Sequence, residues 1–178
     1  MTSVKTQGKQ GISASKERSP MPQTDPETRL TEAIELLFFG YRDFISDPDA
    51  ILGAYEFGRA HHRVVHFVGR NPGITVAELL DILRITKQSL ARVLRQLIER
   101  GFVVQKTGEK DRRQRRLYLT KEGAELLNSL VAPQRARVSK ALAAGGAGAE
   151  DAWRTIMFAL LNEENRTEVE HLITKDSK

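Results

Sequence analysis

Cysteine is absent from the 178-residue chain, which removes disulfides, thiolate nucleophiles, cysteine-bound zinc and thiol redox sensing from consideration. Missing too is any run near the roughly 18 to 20 apolar residues that a membrane span requires. The opening MTSVKTQGKQGISASKERSP is polar throughout, without the apolar stretch of a secretory signal. These absences predict a cytoplasmic protein with no membrane partner. There is no glycine-rich phosphate loop, since Gly145-Gly146 follows a predicted helix instead of opening one after a strand. No nucleophile comes with a positioned base, so an enzyme is not expected and no cofactor is implied. His62 and His66 stand four apart on one helical face, a spacing able to hold zinc, yet nothing visible completes a ligand set and no metal is expected.

What the chain does have is an uneven distribution of charge. The whole carries +5, but residues 84–116 hold eleven Lys and Arg against three acids, a net of +8. Within that block KDRRQRRLYLT, residues 110–120, sets five cations and one acid ahead of an apolar alternation. A basic block in an otherwise mildly acidic protein is the footprint of a polyanion, with a solvated charged face as the lesser alternative on composition alone.

Hydrophobic periodicity organises the rest. Residues 1–24 have almost no apolar content and read as a disordered basic arm. Leu30, Ile34, Leu37, Phe38 and Tyr41 recur at helical spacing and predict a first helix near 26–45. Asp47-Pro48 has the form of a helix start, predicting a second helix to about Gly69, apolar on more than one side and so centrally packed. Asn71-Pro72-Gly73 stops it. Thr75 and Glu78 have the spacing of a capping box and open a short helix. After a turn at Arg84-Ile85, Thr86 caps another, with Leu90, Val93, Leu94, Leu97 and Ile98 as its core stripe and Gly101 as its end. Two such helices with so short a turn form a helix-turn-helix. FVVQK (102–106) and RLYL (116–119) then read as a hairpin with a basic tip, a wing. Thr120 caps a helix to about Ala144, in which Pro133 is expected to make a kink or a boundary, and a last amphipathic helix runs from Trp153 toward Leu172. The expected organisation is an arm (1–24), a pair of scaffold helices (25–70), a winged helix-turn-helix region (71–120) and C-terminal helices (121–174).

At 100° per residue, the helix after Thr86 turns Gln88, Arg92, Arg95 and Glu99 away from its core stripe, with Lys87 and Ser89 near its N-terminus. Gln pairs with adenine and Arg with guanine in the major groove, while Lys and Ser reach phosphates. The wing arginines, in turn, suit a minor groove and its flanking phosphates.

These stretches, NPGITVAEL, ITKQSLARVLRQLIERGFV and KDRRQRRLYLTKEG, resemble the MarR family of winged-helix regulators, over about residues 30–172 and most sharply from Pro72 to Gly123. The family's wing pattern falls on Asp111, Arg113, Arg115 and Arg116, followed by Leu119-Thr120-Lys121-Glu122-Gly123; Arg112 stands where a proline is common and Gln114 where an acid is common. The resemblance implies a mostly α fold with a small β-hairpin wing, its winged helix-turn-helix flanked by N- and C-terminal dimerisation helices. It implies a homodimer on double-stranded DNA, with a pseudo-palindromic operator and repression as the default. The family's DNA-binding set falls on Thr86, Lys87, Gln88, Ser89, Arg92, Arg95 and Arg113, and the neighbouring Arg112 and Arg115 join it in the wing. Leu30, Ile34, Leu37, Trp153, Ile156, Met157, Leu160 and Leu161 are the dimerisation candidates, being apolar stripes on terminal helices that need a partner. Relatives of this kind often release DNA when an aromatic acid enters a crevice beside the winged domain. Phe38, Phe39, Phe44, Arg59, His62, Arg63 and His66 are the candidates to line such a pocket for a small-molecule effector. Two other readings fit the same residues: a non-specific architectural DNA binder, and a winged-helix module whose basic wing meets an acidic protein.

Overall fold

The computed structural model describes residues 25–108 and 114–174; the expected basic arm lies outside them. Ten elements follow in order: α1 (Pro26–Gly53), α2 (Arg59–Arg70), β1 (Ile74–Thr75), α3 (Val76–Leu83), α4 (Lys87–Glu99), β2 (Val103–Thr107), β3 (Arg115–Leu119), α5 (Lys121–Gly145), α6 (Ala149–Ala159) and α7 (Glu163–Thr174). The chain is mostly helical with one small antiparallel sheet of order β1-β3-β2, the fold class expected from the sequence. Among the described residues no helix is long and apolar enough to cross a membrane.

The chain divides into two compact units, residues 1–39 and 40–178, and α1 begins in the first and ends in the second. In the first unit Leu30, Ile34, Leu36, Leu37 and Phe38 are all exposed. The core of the second gathers around α2, which packs on α3, α4, α5 and β3. Val64, Val65 and Val68 of α2 are fully buried, as are Leu52, Leu79, Leu90, Leu97, Leu117 and Leu130 from the elements around it.

The short elements form where local chemistry demands. At α3, Glu78 N–H donates to Thr75 Oγ1 (3.2 Å) while Thr75 N–H donates back to the Glu78 carboxylate (2.8 Å), a reciprocal capping box. On α4 the stripe Leu90, Val93, Leu94 and Leu97 is buried, but Ile98 is exposed at the edge of that face.

Two helix assignments need correction, and at Pro133 one of the two alternatives falls away. The second helix does not start at Asp47-Pro48: α1 runs through a buried Pro48 to Gly53, and α2 begins at Arg59. Instead of capping a helix, Asp47 accepts from Arg137 of α5 at 2.9 Å. Pro133 marks no boundary, for α5 is one helix from Lys121 to Gly145. The last helix is two, because the Arg166 side chain reaches back to the carbonyls of Ala159 and Leu161 (3.2 and 3.3 Å) and caps the end of α6. A third strand, β1, pairs Ile74 with Leu117 and Thr75 with Arg116.

Candidate nucleic-acid interface

The start of α4 is built on Thr86. Its hydroxyl accepts from Ser89 N–H (3.2 Å) and donates to Ser89 Oγ (2.9 Å), so both its roles are spent on the cap. The Ser89 hydroxyl, already accepting from Thr86, keeps its own proton to give outward, beside the positive end of the helix dipole. Lys87, Gln88, Arg92 and Arg95 are exposed, on the side of α4 away from the buried stripe. Among the described residues neither Arg92 nor Arg95 enters an ion pair. The result is an uncovered, donor-rich helix face.

The hairpin pairs Val103 with Leu119 through to Thr107 with Arg115, and Gly108 N–H closes on the Gln114 carbonyl at 3.0 Å. Arg115 is exposed and donates to Thr107 Oγ1 (3.3 Å). Arg116 serves the fold instead, donating to the Gly73 carbonyl (3.2 Å) and the Gln114 side chain (3.3 Å), which ties β3 to the turn before β1. Arg112 and Arg113 lie outside the described residues.

Three supports hold these surfaces. In the turn, Arg84 takes a left-handed conformation (φ 51°), where glycine is usual, and its side chain bonds the Asp81 carbonyl, Asn165 and Glu168 of α7. At the wing base, Thr120 Oγ1 donates to the Gly101 carbonyl (2.6 Å) and accepts from Gly123 N–H (3.0 Å). On the flank of α4, buried His61 accepts from Gly58 N–H through Nδ1 (3.1 Å) and meets Gln96 Oε1 through Nε2 (2.8 Å). A nitrogen that accepts from a backbone amide carries no proton, so the ring is the Nε2–H tautomer and donates to Gln96. Sequence reading singled out His62 and His66 and passed over His61. Its signal was there: His61 falls on the same stripe as Val64, Val65 and Val68.

Of the expected effector-pocket residues, Phe38 and Phe39 belong to the first unit, where both are exposed. In the second, Phe44 is half-buried on α1, and Arg59, His62, Arg63 and His66 line successive turns of α2. Arg59 is held by Asp49 at 2.9 Å. The rings of His62 and His66 lie edge to face at 6.4 Å. Burial pushes the pKa of both below the usual histidine value; for His66 the neighbouring His62, Arg70 and Arg135 push the same way, and for His62 Asp49 opposes. A cleft of about 500 Å³ lies elsewhere, among Arg70, Gly73, Asp81, Arg116, Glu168 and Leu172. Among the described residues no three His, Asp or Glu side chains come together as a metal site.

A family profile described as "MarR family" matches residues 55–114. The HTH-type transcriptional regulator PetP of Rhodobacter capsulatus is 44% identical over 140 residues, 79% of this chain and 84% of that protein. A crystal structure of a MarR family transcription regulator aligns with a TM-score of 0.64 at 17% identity, covering 84% of this chain and 95% of that one. Streptococcus pneumoniae FabT, crystallised in complex with DNA, aligns at 0.58 with 19% identity, covering 74% and 97%. Both structural likenesses concern the fold.

Proposed function

Because this chain belongs to the MarR family, we propose that it is a sequence-specific transcriptional regulator, gripping a pseudo-palindromic operator as a homodimer and releasing it when a small aromatic ligand binds. The observation that carries this reading is the outward face of α4. Gln88, Arg92 and Arg95 stand exposed on a helix whose opposite side is buried to the last carbon at Leu90 and Leu97. A rigid helix with a guanidinium and amide row is what base edges in a major groove require. Lys87, Ser89 and Arg115 then supply phosphate contacts, with Arg112 and Arg113 assigned to the minor groove beside them.

Two further features support the dimer and the effector. On α6 and at its C-cap, Trp153, Ile156 and Leu160 are each more than half exposed, and so are Leu30 and Ile34 of α1, with Leu37 close to it. Apolar rows of this kind lower their free energy by meeting a second copy. For an effector, the arginines of α2 offer cations to an anionic ring, beside the half-buried rings of His62 and His66.

The test is a fluorescence-anisotropy titration of the full chain with a duplex it selects from a random-sequence pool, beside a scrambled duplex, across a salt series. The selected duplex is expected to bind roughly 10³-fold tighter, with log affinity falling linearly in log salt. Arg92→Ala and Gln88→Ala should erase preference at particular base positions, whereas Lys87→Ala should weaken all duplexes alike. Equal binding of both duplexes by the wild type would favour the architectural reading, and no binding at low salt the protein-interaction reading.

A further inference from the structure

We propose that His61 is a positioning residue for the DNA-reading helix, a strut that sets the angle of α4 from the α1–α2 connection; this rests on the reading of α4 as the base-contacting helix. Gln96 on the flank of α4 and Arg100 at its C-cap lie one turn apart, and both are gripped by residues 55–61. Gln96 accepts the His61 Nε2–H. Arg100 donates to the Tyr55 carbonyl, and its guanidinium lies 4.8 Å over the Phe57 ring. Phe57 stacks on the His61 imidazole at 4.4 Å, nearly parallel. His61 is therefore fixed on three sides: Gly58 on one nitrogen, Gln96 on the other, Phe57 on its face.

The connection starts where α1 ends, at Gly53, and includes Glu56 in a left-handed conformation (φ 52°). A shift of α1 thus has a direct mechanical route to two turns of α4. Base contacts demand placement within about 0.5 Å and 10–20°, while phosphate contacts tolerate more. Cutting the strut should accordingly lower sequence discrimination while leaving general DNA affinity largely in place.

The two nitrogens can be separated by substitution. In His61→Asn the amide oxygen falls near the Nδ1 position and keeps the Gly58 bond, but does not reach Gln96. In His61→Gln the longer amide falls near Nε2 and keeps the reach to Gln96, but abandons Gly58. Both lose the Phe57 stack, so each controls for the other. Gln96→Met, at an exposed position, removes the acceptor without opening the core. The readout is the affinity ratio between selected and scrambled duplex at fixed salt, with folding verified by thermal unfolding of each full-length variant. His61→Asn and Gln96→Met are expected to lose about 3- to 10-fold of that ratio, and His61→Gln to stay within about twofold of wild type. A wild-type ratio in Gln96→Met overturns the strut, and Gln96→Met decides the matter alone if the His61 variants do not fold. Equal losses in His61→Asn and His61→Gln also overturn it, because the ring would then act only through its stack. If the wild type itself shows no discrimination, the base-contacting role of α4 fails and the strut falls with it, an outcome distinct from the other two.

Discussion

Gly123→Ala is expected to destabilise the protein although alanine is the better helix former. Gly123 is the third residue of α5 and sits where the wing returns to the helical body. A Cβ built on it would lie 2.0 Å from the Phe102 carbonyl oxygen, 3.0 Å from the Phe102 carbonyl carbon and 3.3 Å from Leu119 Cβ. The nearest atom is backbone, so no side-chain rotation relieves the clash; either α5 or the start of β2 must move by about an ångström to restore van der Waals contact. That oxygen also accepts from Thr120 N–H at 3.1 Å, beside the Val103–Leu119 rung of the hairpin. Moving it costs about 1 kcal/mol for the strained hydrogen bond and about 1–3 kcal/mol for overpacking. Helix propensity returns about 1 kcal/mol, which leaves a net loss of about 1–3 kcal/mol, or roughly 2–10 °C in Tm for a chain of this size. Thermal unfolding by circular dichroism measures it, at one protein concentration because association makes Tm depend on concentration. A Tm equal to or above wild type would refute the close approach and the account of the wing base built on it.

The remaining expectations concern acid and assembly. Because the folded protein holds the pKa of His62 and His66 below the unfolded value of 6.5, the unfolded chain takes up protons first as pH falls. The stability involved is whole above pH 6.5 and is lost as pH drops from there toward the folded pKa values. Urea unfolding at pH 8, 7, 6 and 5 should show this decline, and the His62→Gln/His66→Gln double variant a shallower one; an unchanged slope would mean that burial of these rings does not govern it. Ile156→Asp with Leu160→Asp should convert the proposed dimer to monomer in light scattering after size exclusion, since both side chains are exposed, Ile156 on α6 and Leu160 at its C-terminal end. A double variant that remains dimeric would remove α6 from the interface.

The helix-turn-helix was legible because each of its signals is local. Thr75 and Glu78 bond to each other across three residues, and Thr86 to Ser89 likewise. The stripe Leu90, Val93, Leu94 and Leu97 spans two turns, enough for its period to be read. What escaped depends on distant partners or on too few residues. Asp47-Pro48 has the look of a helix start, but its carboxylate is committed to Arg137, ninety positions away. Strand β1 has two residues and can show no alternation. The break between α6 and α7 follows from one arginine folding back on two carbonyls. Among the candidate site residues, the exposed row on α4 follows from helical geometry alone, while the role of Arg116 required knowing that Gly73 lies beside β3.

That last distinction changes the meaning of the basic block. Of its eleven cations, Arg84, Arg100 and Arg116 are committed to the protein's own carbonyls and carboxylates, and Lys106 stands 5.2 Å over the Tyr118 ring. Lys87, Arg92 and Arg95 face outward with no ion pair among the described residues, and the exposed Arg115 donates to a threonine hydroxyl. Charge density along the sequence therefore overstates the number of side chains available for direct phosphate contact, even though cations that donate to neutral carbonyls keep their charge. On the proposed reading, cations that brace the turn, the flank of α4 and the wing base would act on DNA indirectly, by holding Gln88, Arg92 and Arg95 on a rigid frame. Substituting a bracing arginine should disturb placement, hence base selectivity, whereas substituting a phosphate-binding one changes the salt dependence. Lys87 at the first position of α4 and Arg100 at its C-cap fall, on that reading, on opposite sides of the division.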